Sequence, residues 1–82
     1  MIEINSAIVY GSGCPKCQRL KEMTEKILKD FSDEIPVQYV SDINEMIEVG
    51  IISTPALSVN GKIVITGYLP TEEELRDIIR TI

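Results

Sequence analysis

The chain has 82 residues, 44% hydrophobic and 26% charged, which is enough for one domain with a thin core and too ordinary a mixture for a disordered chain. Its net charge of −5 repels nucleic-acid phosphates and anionic lipid, so neither is expected as a partner. No apolar run approaches the ~20 residues of a membrane-spanning helix, so no membrane association is expected either.

The N-terminal run "MIEINSAIVYG" lacks the basic head and small-residue cleavage site of a secretory signal, and a cytoplasmic location follows as an expectation. Ala7-Ile8-Val9-Tyr10 reads as a buried strand, extended back to Ile4 and stopped by Gly11-Ser12-Gly13. Pro15 suits the first position of a helix. Cys17, Leu20, Met23, Thr24, Ile27, Leu28 and Phe31 follow at spacings of three and four and form its apolar stripe. Glu22 with Lys26 and Glu25 with Lys29 are expected to pair on its wet face.

Pro36-Val37-Gln38-Tyr39-Val40 reads as a second strand. Asp42 with Glu45 has the spacing of a capping box, and Ile43, Met46 and Ile47 give the short helix 42–49 an apolar face that Gly50 closes. Ala56–Val59 and Ile63–Thr66 flank Asn60-Gly61, the strongest short signal for a type I′ hairpin. Thr71 with Glu74 is a second capping box, opening a helix striped by Leu75, Ile78, Ile79 and Ile82. The order β-α-β-α-β-β-α predicts an α/β fold: a parallel first pair of strands, an antiparallel final hairpin and a mixed four-stranded sheet covered by helices. No repeat, linker or low-complexity tract divides the chain, so residues 1–82 are expected to form a single domain.

Both cysteines lie in Gly11-Ser12-Gly13-Cys14-Pro15-Lys16-Cys17. A bond between them would close almost no loop and would make a poor staple. A metal, a reversible disulfide or plain packing are the alternatives. Cys14 falls where strand meets helix, beside unpaired N–H groups that stabilise a thiolate, and Lys16 adds a nearby cation expected to lower its pKa. Cys17 lies one turn further, on the apolar stripe. That asymmetry suits a two-step exchange in which Cys14 attacks a substrate disulfide and Cys17 resolves the mixed disulfide. For a metal, the chain offers no histidine and a structural zinc site wants four ligands, although two thiolates can hold Cu(I). Small copper-carrying domains also place Cys-x-x-Cys after a first strand, but in the order β-α-β-β-α-β. Copper binding and a redox-inactive protein-interaction module remain the rivals of a redox enzyme.

With "GSGCPKC" after strand one, "STPAL" before strand three and "VNGKIVITG" across the hairpin, the chain resembles the thioredoxin superfamily, and in particular the small, glutaredoxin-sized redox-active disulfide proteins. The resemblance implies a single thioredoxin-like domain acting as a thiol–disulfide oxidoreductase in electron transport, with Cys14 attacking and Cys17 resolving. It implies that Pro55 is a cis-proline facing the site, that Thr54 offers its backbone to an extended substrate, and that Gly67 lets the hairpin end approach. It implies no cofactor, and as partners a protein disulfide and an unidentified reductase, the chain itself being a monomer. The sequence also departs from the larger thioredoxins. Gly13 stands where they carry a tryptophan, and Ile8 stands where they carry a buried acid. The run Gly67-Tyr68-Leu69-Pro70-Thr71 lacks the Asp with which glutaredoxins hold glutathione. Ile51, Ile52, Tyr68 and Leu69 are expected to give the surroundings of the thiols an apolar character that favours a protein disulfide.

Overall fold

The computed structural model describes residues 4–31 and 35–81. Strand β1 (Ala7–Tyr10) leads into helix α1 (Pro15–Phe31), followed by β2 (Val37–Val40), α2 (Ile43–Glu48), β3 (Ala56–Val59), β4 (Lys62–Thr66) and α3 (Glu72–Arg80). The strands form one mixed sheet in the order β2-β1-β3-β4, with β1 parallel to β2 and antiparallel to β3, and β3 antiparallel to β4. This is the α/β architecture and element order that the hydrophobic pattern and turn residues predict.

Alternation along the strands divides the sheet into two faces. Ala7, Val9, Leu57, Val59 and Ile65 point to one side, where Leu20, Ile27 and Leu28 of α1 and Leu75 and Ile79 of α3 complete the main core; Val37 and Tyr39 of β2 pack against it. Tyr10 and Ala56 point to the other side and meet Met46 and Ile51, with Ile8, Val40 and Ile63 at the margin. All four residues of β3 are buried because both its faces are covered. Between Leu57↔Ile65 and Ser58↔Ile63 the register slips at Val64, a bulge that turns Ile63 and Ile65 to opposite faces although they are two apart.

Several expectations are corrected. β1 begins at Ala7, not Ile4: the N–H groups of Asn5 and Ser6 donate to Asn60 Oδ1 (2.7 and 3.3 Å), so the hairpin turn holds this segment and no strand ladder does. Asn60 and Gly61 both take left-handed backbone angles (φ 54° and 82°), as a type I′ turn requires. Phe31 does not complete the α1 stripe but is 48% exposed at the helix end. In α2 only Met46 is buried; Ile43 and Ile47 face outward, because one short helix lying on a flat sheet can bury one side-chain row. The Asp42 carboxylate accepts from Asn44 N at 2.8 Å, a simple cap and not a box with Glu45. The Thr71–Glu74 box forms in full, Thr71 Oγ1 accepting from Glu74 N (3.1 Å) and Glu74 Oε1 from Thr71 N (3.0 Å), and these bonds hold the Glu74 carboxyl below its ordinary pKa. Ile82 lies outside the described residues.

Lys26 and Glu25 do not take the partners expected on one helix. Lys26 Nζ crosses to Glu72 Oε1 on α3 (3.1 Å) and Glu25 meets Lys21 (3.7 Å), while Arg76 Nη2 reaches back to Asp30 Oδ2 (2.7 Å). The Lys26–Glu72 and Arg76–Asp30 pairs link α1 to α3, but both are largely exposed and screened by solvent, so they do little to hold the helices together. Apolar burial along the helix seam does that.

Thr24 sits in this seam with a fully buried hydroxyl, and Thr24 Oγ1 meets no hydrogen-bond partner among the described residues. An unsatisfied buried polar group costs about 1–3 kcal/mol. Thr24→Val keeps the shape and removes the hydroxyl, so it is expected to stabilise the fold by roughly 1 kcal/mol, raising Tm by about 4–8 °C for a domain of this size. Thermal unfolding followed by circular dichroism checks this; an unchanged or lower Tm contradicts it.

Candidate active site

The parallel strands β1 and β2 end at the same edge of the sheet, and the chain leaves β1 there to start α1. Gly11 N donates to Val40 O (3.0 Å), which continues the pairing one residue past β1. Cys14 then caps the helix: its carbonyl accepts from Gln18 N (3.1 Å) and Pro15 is the first helical residue. The first turn of α1 carries no acidic side chain, so the positive end of the helix is left to the Cys14 sulfur.

Cys14 is half-buried, Cys17 is fully buried, and their sulfurs lie 2.7 Å apart as free thiols. The Cys14 thiol is held below its ordinary pKa. The largest cause is the hydrogen bond with the Cys17 side chain, then the Cys17 backbone N–H; partial burial opposes them, and the Lys16 backbone N–H and Ser12 hydroxyl add to the lowering. The influence of Lys16 therefore comes from its peptide N–H as the second donor of the helix start, and its side chain is exposed.

Two glycines make this arrangement possible. A Cβ on Gly11 would stand 2.5 Å from Cys17 Cβ, 2.6 Å from Cys17 Sγ and 2.6 Å from the Tyr39 hydroxyl oxygen. No side chain fits where the Cys17 sulfur approaches the backbone of the loop. Gly13 has φ 85°, a conformation that side chains rarely adopt, and its N–H donates to the Tyr39 hydroxyl at 2.8 Å. This explains why glycine stands directly before Cys14.

The remaining expected site residues gather around the same edge. Ala56 pairs with Tyr10, which brings the preceding Thr54–Pro55 beside the cysteine loop; that peptide bond is cis, Pro55 is buried and Thr54 is half-buried. Gly67 N donates to Pro55 O (2.9 Å), and a Cβ on Gly67 would stand 3.1 Å from Ser53 Cβ, so the hairpin end closes tightly on this segment. A groove of about 700 Å³ runs from Ser12 past Thr54 to Ile43, Met46, Ile47 and Ile52. Of the expected apolar rim, Ile52 is 95% exposed and Tyr68 is exposed, whereas Ile51 is buried against Met46 and Leu69 packs on the main core. Among the described residues, no group of three or more Cys, Asp, Glu or His side chains gathers in one place.

Tyr39 escaped the sequence reading, which placed it only on a strand. The usable signal was its position: on a strand parallel to β1, near its C-terminal end and on the α1 face, a side chain reaches the helix start. Gly11 was read only as part of a loop, because close approach leaves no mark in composition.

Two outcomes follow from this geometry. Since the Cys14 pKa is lowered, its thiolate persists to lower pH than an ordinary thiol, and iodoacetamide alkylation of Cys14 should keep its rate below the usual thiol range and lose it as pH falls through the lowered pKa. Peptide mapping after partial alkylation should show Cys14 labelled well ahead of buried Cys17; equal labelling contradicts the site. Gly11→Ala must displace Cys17 or Tyr39 and is expected to destabilise the fold by about 1–3 kcal/mol and slow closure of the Cys14–Cys17 bond, read by denaturant unfolding and mass spectrometry.

The comparison with known proteins agrees with the geometry. The thioredoxin domain family matches residues 5–80. A thioredoxin of Methanothermobacter thermautotrophicus is 27% identical over 87% of this chain and 92% of its own length. One of Methanocaldococcus jannaschii is 29% identical over 89% and 84%, and a probable thioredoxin of Archaeoglobus fulgidus 34% identical over 82% and 76%. A Cys-x-x-Cys pair capping the first helix, a cis-proline segment beside it and a match across nearly the whole chain place this protein in the thioredoxin domain family.

Proposed function

We propose that the protein is a thiol–disulfide oxidoreductase that reduces protein disulfides through Cys14 and Cys17. The observation that carries this reading is the asymmetry of the pair: an accessible sulfur with a lowered pKa at the helix start, and a fully buried sulfur 2.7 Å behind it. The Cys14 thiolate attacks one sulfur of the substrate disulfide. The Cys14–substrate bond forms, and the other substrate sulfur leaves as a thiolate and takes a proton from solvent. Cys17 loses its proton and attacks Cys14 Sγ; the Cys14–Cys17 bond forms and the second substrate sulfur leaves. Two electrons pass to the substrate, and a reductase must return two electrons and two protons to the pair. A cytoplasmic setting, where such reductants hold thiols reduced, fits this cycle.

The groove supports a polypeptide substrate. Thr54 precedes the first paired residue of β3, so its N–H and C=O stand outside the ladder and suit pairing with an extended strand, which binds backbone without demanding a sequence. Exposed Ile43, Ile47 and Ile52 offer apolar contact along the same groove. Glutathione has no such use for them, and Gly67-Tyr68-Leu69-Pro70-Thr71 supplies no acid for its amino group.

Cys17→Ser should trap a long-lived mixed disulfide on Cys14 when offered a protein disulfide, whereas Cys14→Ser should form none; the adducts are read by non-reducing mass spectrometry. Turnover by the Cys14→Ser variant comparable with the unaltered protein overturns the assignment. With dithiothreitol as reductant, reduction of a protein disulfide should exceed glutathione-coupled deglutathionylation. The reverse order overturns the substrate class.

A further inference from the structure

The exchange cycle leaves one step without an obvious helper. Cys17 is fully buried, so it must give up its proton and attack Cys14 at a place closed off from bulk solvent. β1 supplies no carboxylate near it: Ala7 and Val9 face the main core, and Ile8 and Tyr10 face the other side. What stands beside the sulfur is the Tyr39 hydroxyl. Tyr39 pairs with Val9 in the sheet register and so projects on the α1 face, toward the helix start. Its oxygen and Cys17 Sγ each lie 2.6 Å from the point where a Gly11 Cβ would be, which puts the two atoms close to one another. The oxygen already accepts the Gly13 N–H at 2.8 Å, which anchors it and leaves its own proton for a neighbour.

We propose that the Tyr39 hydroxyl donates a hydrogen bond to Cys17 Sγ as that thiol ionises, and so promotes the resolving step in place of a buried acid. The inference rests on the two-cysteine exchange above. During resolution the Cys17 proton goes to solvent, the Tyr39 O–H bond stays intact, and the hydrogen bond to sulfur strengthens as its charge grows. Burial, and after it the nearby cysteine sulfurs, hold the phenol above its ordinary pKa against the lowering by the Gly13 N–H, so it keeps its proton and can donate it toward the sulfur. The titratable groups facing it are Cys14 and Cys17 of α1 and its loop; Val9 of β1 and Gly11 of the loop bring none. Gly11 is needed because any side chain there would part the hydroxyl from the sulfur.

The test separates capture from resolution, with 5,5′-dithiobis(2-nitrobenzoate) as the disulfide. The first thionitrobenzoate released reports attack by Cys14, and the second reports attack by Cys17. Tyr39→Phe should leave the first release within about twofold and slow the second roughly tenfold, with its pH profile moved up by about one unit, as loss of a hydrogen bond to a charged group requires. 3-Fluorotyrosine at position 39, which keeps the donor and makes it more acidic, should restore the second release. Independently, Cys17 titrated by alkylation rate in Cys14→Ser should shift upward on adding Tyr39→Phe. If both releases and the Cys17 titration stay within twofold, the proposal is overturned. If the unaltered protein captures no probe, the exchange reading fails, yet the Cys17 titration still decides the hydrogen bond. Should Tyr39→Phe not fold, the fluorotyrosine protein alone must show a displaced pH profile for the second release; an unmoved profile overturns the proposal.

Discussion

Everything at the candidate site depends on the unpaired N–H groups at the start of α1. Cys14 occupies the capping position, where a side-chain acceptor satisfies donors that no carbonyl of the helix can reach. In most helices Ser, Thr, Asp or Asn takes this place; here a sulfur does, and the bond it accepts is worth most when that sulfur is negative. The Cys17 thiol does most to lower the Cys14 pKa, and the same N–H donors that cap the helix add to it. One geometric demand follows. The second sulfur must come within contact of the first from one helical turn away, which presses Cys17 against the loop at Gly11 and excludes any side chain there. The tight loop, the buried cysteine and the strand edge behind them are one packing problem.

The sheet solves it by direction. Because β1 and β2 run parallel, their C-terminal ends share an edge, and α1 begins there. The antiparallel β3 begins at that edge, which sets Thr54 and Pro55 beside the cysteines. Four segments far apart in sequence converge without a long loop. The arrangement also accounts for Tyr39. Reversing β2, or slipping its register by one residue, would turn that side chain to the α2 face and away from the sulfurs.

Much of this was legible in the chain, for identifiable reasons. The element order and hairpin were readable because their signals are local: apolar spacing in α1, Asn60-Gly61 in the turn, Thr71 and Glu74 at the start of α3. The cysteines and Thr54–Pro55 could be named because they form short motifs. What failed depended on partners distant in sequence. Lys26 looked like a partner for Glu22 until α3 brought Glu72 closer. Phe31 fits the periodicity of its helix, yet α1 outruns the surface that covers it. Ile43 and Ile47 match an apolar face that the sheet does not use. Tyr39 and Gly11 matter through a contact across three elements, and no spacing within one element announces such a contact.

Those misread isoleucines point to the way a small chain divides its apolar surface. One face of the sheet receives two helices, α1 and α3, and its core closes. The other receives only the six-residue α2, which buries Met46 and leaves Ile43, Ile47 and Ile52 in the open. A domain of this size lacks the residues to cover both faces equally, since the fraction of surface buried on folding is smaller the shorter the chain. Placing the deficit at random would leave scattered apolar side chains with a cost and no use. Here it lies along the groove that joins Ser12 to Thr54, next to the reactive sulfur. On the proposed function, this weakly covered face is the one a polypeptide substrate would complete, burying isoleucine surface at ~25 cal/mol per Å² while its disulfide is held at Cys14. In that proposed cycle the reduced chain would lose its covalent tether and keep only this modest apolar contact, so its release would require no further device.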